Sequence, residues 1–182
     1  ALAAGCPVVI KPAGSTPFSA TALVELAHRA GVPKGVINLI SVSEENVAEV
    51  GDELCTNKNV RKISFTGSTN VGKALIAKTA STIKKVSMEL GGHAPLIIFD
   101  DADLDLAQRE LTPDALCMAG QICVAAARFL VHKPIAKDFE ARMKAAFAAV
   151  RVGPGSDPSS QMGSLIDLPN RTRIEALISQ AA

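Results

Sequence analysis

Short β-branched runs alternate with amphipathic helical stretches along the whole 182-residue chain. Residues 7–11 predict a buried strand, and residues 17–30 predict a helix because apolar positions recur there at helical spacing. Thr16 is expected to cap that helix, with Pro17 in its first turn and Gly31 after its last. Strands that alternate with helices in this way are typical of βαβ units with parallel strands.

The alternation continues to the end of the chain, and the remaining elements follow the same two patterns. The predicted strands lie at residues 36–40, 60–65, 84–89, 95–99 and 128–132. The predicted helices lie at residues 44–54, 69–80, 104–117, 134–149 and 168–181. Ser43 is expected to open the first of these helices, and residues 153–162 predict a loop.

A double glycine at residues 91–92 separates two runs of this alternation. We therefore expect an α/β chain of two parts, residues 1–91 and residues 92–182. Pro113 falls inside the helix predicted at residues 104–117, where it removes a backbone donor and clashes with the preceding turn. A break or a kink is expected at that residue.

Composition and charge exclude several classes of partner. Hydrophobic residues make up 48% of the chain and charged residues 20%, as in folded globular proteins. The 19 Lys and Arg against 18 Asp and Glu leave no net field for nucleic acid or an anionic membrane, and 3% aromatics offer few stacking surfaces. We therefore expect no nucleic-acid and no membrane partner. With no leader pattern at its start, the chain is predicted to be cytoplasmic.

The cysteines and histidines do not have the spacing of a metal site, and no metal is predicted. Cys6, Cys55 and Cys117 are interpreted as buried small hydrophobic residues. Cys123 lies in a small-residue stretch between a helix and a strand. There it is either another such residue or an accessible nucleophile.

The strand predicted at residues 60–65 runs into a glycine turn and then a helix. Such a turn aims backbone N–H groups and the positive end of the helix dipole at an anion, although simple turn chemistry explains the glycines equally well. Gly67 to Lys73 also matches the start of the P-loop pattern, but Ala74 stands where that pattern needs Ser or Thr. We therefore expect no P-loop.

Asp101, Asp103 and Asp105 have the spacing of the first three ligands of a calcium-binding loop. The glycine and the glutamate that such a loop needs later are replaced by Leu106 and Thr112. Asp103 is therefore expected to be the N-cap of the helix that follows.

Two ionisable residues lie at the predicted carboxyl ends of strands. Lys11 follows the first strand, and Glu89 ends a strand of otherwise apolar residues. If the sheet is parallel, these two residues and the turn at residues 65–68 meet at one edge, where such folds bind nucleotides. A carboxylate there suits general-base chemistry. An ion pair with a lysine explains Glu89 equally well, and Lys11 is also explained as surface charge.

Four segments together resemble the aldehyde dehydrogenase superfamily in their order and spacing. They are Lys11-Pro12-Ala13, Phe65-Thr66-Gly67-Ser68, Glu89-Leu90-Gly91-Gly92 and Gly120-Gln121-Ile122-Cys123. Residues 60–69 and 86–103 are most similar to succinate-semialdehyde dehydrogenases. The resemblance implies a Rossmann-like parallel sheet segment in residues 1–91, the C-terminal part of an NAD(P)-binding domain. Residues 92–182 would be the N-terminal part of a second α/β domain, the catalytic or thiol domain.

The resemblance also implies an activity, the NAD(P)-dependent oxidation of an aldehyde such as succinate semialdehyde to the carboxylic acid. Cys123 would attack the aldehyde carbonyl, and the resulting thiohemiacetal would give hydride to the nicotinamide ring. Glu89 would activate the water that hydrolyses the remaining thioester.

The same resemblance implies a set of cofactor-binding residues. Lys11 would bind the adenosine ribose, Ser68 the pyrophosphate, and Gly67 would let the cofactor approach the backbone, with Leu90 as a further contact. NAD-preferring members have a glutamate at the position of Gly14, and its loss removes a charge that would repel a 2′-phosphate. The expected cofactor is therefore NAD or NADP.

Other positions depart from the family pattern. Met118 stands where many members have asparagine, and Ala125 where some semialdehyde enzymes have a second cysteine, so a disulfide between neighbouring cysteines is not expected. The upstream asparagine of the family's oxyanion hole has no counterpart here, a loss worth about a hundred- to a thousandfold in rate. We therefore expect little or no activity from the 182 residues alone. The resemblance also implies a homo-oligomer for the full-length protein.

Two other interpretations stay open. Because Ala1 lies just before a buried-strand run, the chain is interpreted as an excised or truncated segment, and it could be a non-catalytic remnant that keeps the motifs only by descent. A thiol hydrolase that uses Cys123 without a cofactor would need a histidine base. The nearest in sequence, His132, lies across a predicted strand.

Overall fold

The computed structural model describes residues 1–181. Its strands are β1 (Val8–Ile10), β2 (Ile37–Leu39), β3 (Lys62–Gly67), β4 (Lys85–Leu90), β5 (Pro95–Ile98) and β6 (Arg128–Val131). Its α-helices are α1 (Phe18–Arg29), α2 (Val47–Thr56), α3 (Thr69–Thr79), α4 (Leu104–Leu116), α5 (Ala136–Ala148) and α6 (Leu168–Ala181). Every strand and helix predicted from the sequence is found, with its ends shifted by a few residues at most.

The strands form three two-stranded sheets in the described residues. β1 and β2 are parallel, with Val8 opposite Ile37, and β5 and β6 are parallel, with Pro95 opposite Arg128. β3 pairs with β4. A helix lies between the two strands of each pair along the chain, as parallel pairing requires. The predicted α/β class is confirmed. Among the described helices, none is both long and apolar enough to cross a membrane.

The chain divides into two compact units, Ala1–Glu89 and Leu90–Ala182. The division falls between Glu89 and Leu90, whereas the sequence placed it after Gly91. Assignment of the first unit to a cofactor domain and of the second to a thiol domain stays a prediction.

In the first unit, α1 packs on β2 and α2 packs on α3. Cys55, near the end of α2, is fully buried, and its carbonyl oxygen accepts a hydrogen bond from the Thr82 hydroxyl at 3.3 Å. The Lys84 ammonium donates to the carbonyl oxygens of Asn57 at 2.5 Å and Val60 at 2.7 Å. These bonds join the loop after α2 to the segment that leads into β4.

In the second unit, one face of the β5–β6 sheet packs on α4 and α5. The core of this unit consists of Ile98, Phe139 and Met143. The rings of Phe129 and Phe139 lie 5.7 Å apart between centroids in a tilted arrangement, which is favourable for aromatic pairs. The strand residue Ile97 points away from this core and is exposed.

An arginine links the two helices of the second unit. Arg142 in α5 donates from Nε to Asp138 at 3.0 Å and from Nη1 to Asp105 in α4. The hydrogen bonds to Asp138 and then to Asp105 raise the pKa of the Arg142 guanidinium. The guanidinium therefore holds the start of α4 beside α5.

The predicted helix caps are only partly confirmed. Asp103 caps α4, because its carboxylate accepts from the N–H groups of Asp105 and Leu106, both at 3.0 Å. Thr16 does not cap α1: Pro17 itself occupies the cap position, so the threonine lies one residue too early, and no side chain caps this helix. The sequence does not distinguish a cap at Thr16 from a cap at Pro17, because proline is also common at the first helical position, directly after the cap.

Of three other helix signals, one is confirmed and two are not. Ser43 makes no side-chain cap bond, since the chain first forms a 3-10 turn at Glu44–Asn46 before α2 begins. Gly31 is confirmed after α1, in the left-handed region at φ 86°. Pro113 does not break α4, which continues to Leu116. The fixed φ of proline is compatible with a helix, so α4 can continue past Pro113 although this residue has no N–H to donate.

The packing of Phe139 gives a stability prediction. Phe139→Ala is expected to lower the free energy of unfolding of the second unit by about 3–5 kcal/mol, because the ring is 4% exposed and its removal leaves a cavity. Phe99→Ala is the matched control, since that ring is 63% exposed and should cost far less. Urea unfolding followed by circular dichroism measures both. Equal losses for the two variants would contradict the assignment of the core.

Candidate functional site

Lys11 directly follows β1. Its side chain is half-buried, and its Nζ donates to the carbonyl oxygen of Pro12 at 2.8 Å. An ammonium group has three donors, so this bond leaves two for a ligand.

The strand, turn and helix around Gly67 have the predicted order. Gly67 is the last residue of β3, and Ser68 is the N-cap of α3, where its Oγ accepts from the N–H of Val71 at 3.3 Å. Both Gly67 and Ser68 are exposed. The start of an 11-residue helix thus faces outward at this turn, with a hydroxyl beside its first N–H groups, and that arrangement suits an anion.

Gly67 also has a packing role. A Cβ atom at this position would lie 2.5 Å from Cζ of Phe65, so the phenylalanine ring occupies the space that a side chain would need. A side chain at this position would force the Phe65 ring to move, and this contact lies within the strand itself.

Glu89 lies in β4, beside the strand that ends in Gly67. Its side chain is exposed within the first unit. None of the ion pairs found among residues 1–181 includes Glu89, so the interpretation as a structural partner of a lysine is not supported. The carboxylate is free to bind water.

Lys11 belongs to a different sheet from Gly67 and Glu89. Lys11 follows the β1–β2 sheet, and no strand pairing connects that sheet to β3–β4 in the described residues. Strand pairing therefore does not bring the three predicted residues to one sheet edge. Of the predicted site residues, Leu90 and Cys123 lie in the second unit.

Cys123 is exposed on a tight turn. The N–H of Ala125 donates to the carbonyl oxygen of Ile122 at 3.2 Å, which closes the turn with Cys123 at its first central position. Ala125 and Ala126 are buried, and the N–H of Ala126 donates to the Asp114 carboxylate at 3.3 Å. The backbone after the thiol is therefore anchored, while the thiol itself stays accessible.

The chain before Cys123 has an unusual backbone. Met118, Ala119 and Gly120 are consecutive left-handed residues, with φ of 50°, 57° and 74°. Left-handed geometry costs roughly 1–2 kcal/mol for each residue with a Cβ atom, so other contacts must hold Met118 and Ala119 in place. The change in chain direction that the sequence placed at Pro113 occurs here, after α4 has ended.

Gln121 supplies those contacts. Its N–H and its side-chain Nε2 both donate to the carbonyl oxygen of Met118, at 3.1 Å and 2.9 Å. Its Oε1 accepts from the N–H of Ile166 at 3.1 Å. Gln121 and Asp114 were given no role on sequence grounds, because Ile166 and Ala126, whose N–H groups donate to them, lie 45 and 12 residues further along the chain.

The other cysteines differ in exposure. Cys55 is buried as predicted, but Cys6 and Cys117 are exposed, so the prediction that they are buried is wrong. They lie in short turns at the edges of helical segments, where a small apolar residue need not be covered. Burial raises the pKa of the Cys55 thiol, with a smaller contribution from Asp52, against opposing effects of Lys78 and Lys84.

Two histidines make side-chain contacts in the second unit. Nδ1 of His132 lies 3.3 Å from the Asp100 carboxylate, which gives this histidine a structural partner. Nδ1 of His93 lies 2.7 Å from Nη2 of Arg128. No group of three or more His, Cys, Asp or Glu residues in the described part of the chain is arranged to hold a metal ion.

Relatives of the chain are found over its whole length. The model of the aldehyde dehydrogenase family matches residues 1–182. The chain is 48% identical over 181 residues to the glutarate-semialdehyde dehydrogenase of Pseudomonas aeruginosa, and 48% identical over 181 residues to the succinate-semialdehyde dehydrogenase (NADP(+)) of Escherichia coli. Each match covers 100% of this chain and 37% of the relative, so the chain spans little more than a third of their length.

A solved structure is also similar to nearly the whole of this chain. The betaine aldehyde dehydrogenase of Staphylococcus aureus, solved in complex with NAD+, has a TM-score of 0.90 to this chain at 36% sequence identity. The similarity covers 98% of this chain and 35% of that one. At this identity the similarity extends to sequence as well as fold.

The exposure of the cysteines predicts their order of alkylation. In the folded 182-residue chain, Cys55 is expected to react with iodoacetamide far more slowly than Cys6, Cys117 and Cys123, because its thiol is buried and its pKa is raised. Peptide mass spectrometry over a time course at pH 8 measures the four rates. The same experiment in 6 M guanidinium is the control, where the difference should vanish. Equal rates without denaturant would contradict the burial of Cys55.

Proposed function

Because the chain belongs to the aldehyde dehydrogenase family, we propose that it supplies the thiol nucleophile and part of the cofactor site for the NAD(P)-dependent oxidation of an aldehyde. The observation that carries this proposal is the exposed Cys123, on a turn whose backbone is anchored before and after the thiol. The names of the relatives favour a semialdehyde of a dicarboxylic acid, with succinate and glutarate semialdehyde as the first candidates.

Cys123 is the nucleophile in this proposal. Its thiolate forms a bond to the aldehyde carbon, and the carbonyl oxygen takes the negative charge. A nicotinamide nucleotide held by the first unit would supply the oxidant, a hydride acceptor for that carbon. The substrate then remains attached to Cys123 as a thioester, which separates oxidation from hydrolysis.

Glu89 is the general base for the second half of the reaction. Its carboxylate takes a proton from a water molecule, and the hydroxide attacks the thioester carbon to release the carboxylic acid and the Cys123 thiol. The exposure of Glu89 and its lack of an ion pair in the described residues are compatible with a base that must contact water. Aldehyde, oxidised nucleotide and water thus give acid, reduced nucleotide and a proton.

The first unit offers groups that fit a dinucleotide. The N-terminus of α3, with Ser68 as its cap, suits a pyrophosphate, and the Lys11 ammonium has donors for a ribose hydroxyl. Gly14 carries no charge that would repel a 2′-phosphate. One relative is named for NADP(+) and one similar structure holds NAD+, so we propose NAD or NADP as the cofactor, with Leu90 as a further contact.

The extent of the chain limits what it does alone. Since it spans 37% of the length of its relatives, we propose that the 182 residues by themselves turn over little or no substrate. The alternative is a non-catalytic remnant of such an enzyme. A hybrid enzyme separates the two: the 182 residues replace the matching segment of the Escherichia coli succinate-semialdehyde dehydrogenase. NADPH formation by this hybrid supports the proposal, and an inactive but folded hybrid supports the remnant.

The nucleophile is tested by Cys123→Ser in the hybrid enzyme. We expect kcat with succinate semialdehyde and NADP+ to fall by about a thousandfold or more, because a hydroxyl at this position has no comparable nucleophilicity. Cys117→Ser is the matched control, another exposed cysteine, and should leave kcat nearly unchanged. NADPH absorbance measures both. Normal turnover by Cys123→Ser would disprove the assigned nucleophile.

The base is tested by Glu89→Gln in the same enzyme. We expect an initial burst of NADPH close to one equivalent per active site, followed by steady turnover about a hundred- to ten-thousandfold slower, because hydride transfer precedes the step that needs the base. Stopped-flow absorbance resolves the two phases. Glu45→Gln, another exposed carboxylate of the first unit, is the control. Loss of the burst itself would show that Glu89 does not act in hydrolysis alone.

A further inference from the structure

The turn that carries the Cys123 thiol is preceded by a stretch of backbone in an unfavourable conformation. Met118 and Ala119 have left-handed φ values although both carry a Cβ atom, and Gly120 continues the same hand. Such a stretch persists only where neighbouring groups determine it. The contacts that determine it here also determine where the chain emerges at Cys123, three residues after Gly120.

Gln121 uses both ends of its side-chain amide on this stretch. Nε2 donates to the carbonyl oxygen of Met118 at 2.9 Å, the same oxygen that accepts the Gln121 N–H at 3.1 Å. Oε1 accepts from the N–H of Ile166 at 3.1 Å, 45 residues further along the chain. One side chain therefore closes the left-handed turn and attaches it to a second segment of the same unit.

The chemistry of these two bonds requires an amide. Glutamate could accept from the Ile166 N–H, but its second oxygen would face the carbonyl oxygen of Met118 without a proton to donate. Asparagine has one methylene fewer for the reach to two backbone groups. Methionine has the length of glutamine with neither the donor nor a strong acceptor.

We propose that Gln121 is a positioning residue for the Cys123 thiol: its amide fixes the left-handed turn before the cysteine and ties that turn to the backbone at Ile166. The inference rests on the proposed function, because it assumes that Cys123 is the nucleophile. Gln121 itself touches no substrate in this proposal. It acts by limiting the directions in which the thiol is presented, and a misplacement of about 1 Å costs on the order of a hundredfold in rate.

The structural half of the proposal is tested on the 182-residue chain by amide hydrogen exchange. Gln121→Met is expected to speed exchange of the Ile166 amide by about fivefold, the effect of losing one hydrogen bond. Gln121→Glu keeps the acceptor and should leave that amide protected. Gln161→Met is the matched control: Gln161 makes the same kind of bond to the Arg151 N–H, at 3.0 Å in the same unit. It should affect Arg151 and leave Ile166 unchanged.

The functional half is tested on the hybrid enzyme by the burst of NADPH. Gln121→Met and Gln121→Glu are both expected to slow the burst rate constant by about 10- to 100-fold, while the burst amplitude and the KM for NADP+ stay within about twofold of the parent. Gln161→Met should change none of the three. A smaller burst amplitude with a normal rate constant would mean that Gln121 only maintains the fold, and would overturn the proposal.

Two further outcomes are distinguishable. A burst rate unchanged by Gln121→Met, together with faster exchange at Ile166, would show that the bond exists without positioning the thiol, and would overturn the inference alone. Normal turnover by Cys123→Ser would instead disprove the proposed function, and the inference with it.

Discussion

One backbone carbonyl, that of Met118, accepts two hydrogen bonds from Gln121 just before the turn that carries Cys123. Without them, two residues with Cβ atoms would have to keep left-handed geometry unaided. On the other side of the thiol, buried Ala125 and Ala126 and the Asp114 carboxylate hold the chain. An exposed thiol can be presented in a defined direction only when the backbone on both sides of it is fixed in this way.

The strands and helices could be predicted from the sequence, because apolar spacing and glycine punctuation are local signals. Helix caps were less predictable. The same rule that is right for Asp103 is wrong for Thr16, since the neighbouring Pro17 itself takes the cap position. The exposure of Cys6 and Cys117 was also missed, because burial depends on the place of a residue in the fold as well as on its type.

The parts of the candidate site differ in how far they could be predicted from the sequence. The turn at Gly67 and Ser68 follows from its sequence, and the structure adds that Gly67 makes room for the Phe65 ring. The prediction that Lys11 lies at the same sheet edge as β3 and β4 depended on the order of strands in the sheet, which no local pattern contains. In the described residues, no strand pairing joins β1 to the β3–β4 sheet. The contact of Gln121 with Ile166 could not be predicted from the sequence for the same reason, since Ile166 lies 45 residues away.

That separation also sets an order of events during synthesis. Gln121 leaves the ribosome before Ile166, so the loop that carries Cys123 has only its local bonds until the later segment has been made. Helix α4 can form earlier, because its hydrogen bonds are all short-range. The nascent chain therefore carries an accessible thiol on a loop that is not yet fixed. The bond between Gln121 and the Ile166 N–H can form only after residue 166 has been made, and it then fixes the turn while the thiol stays exposed.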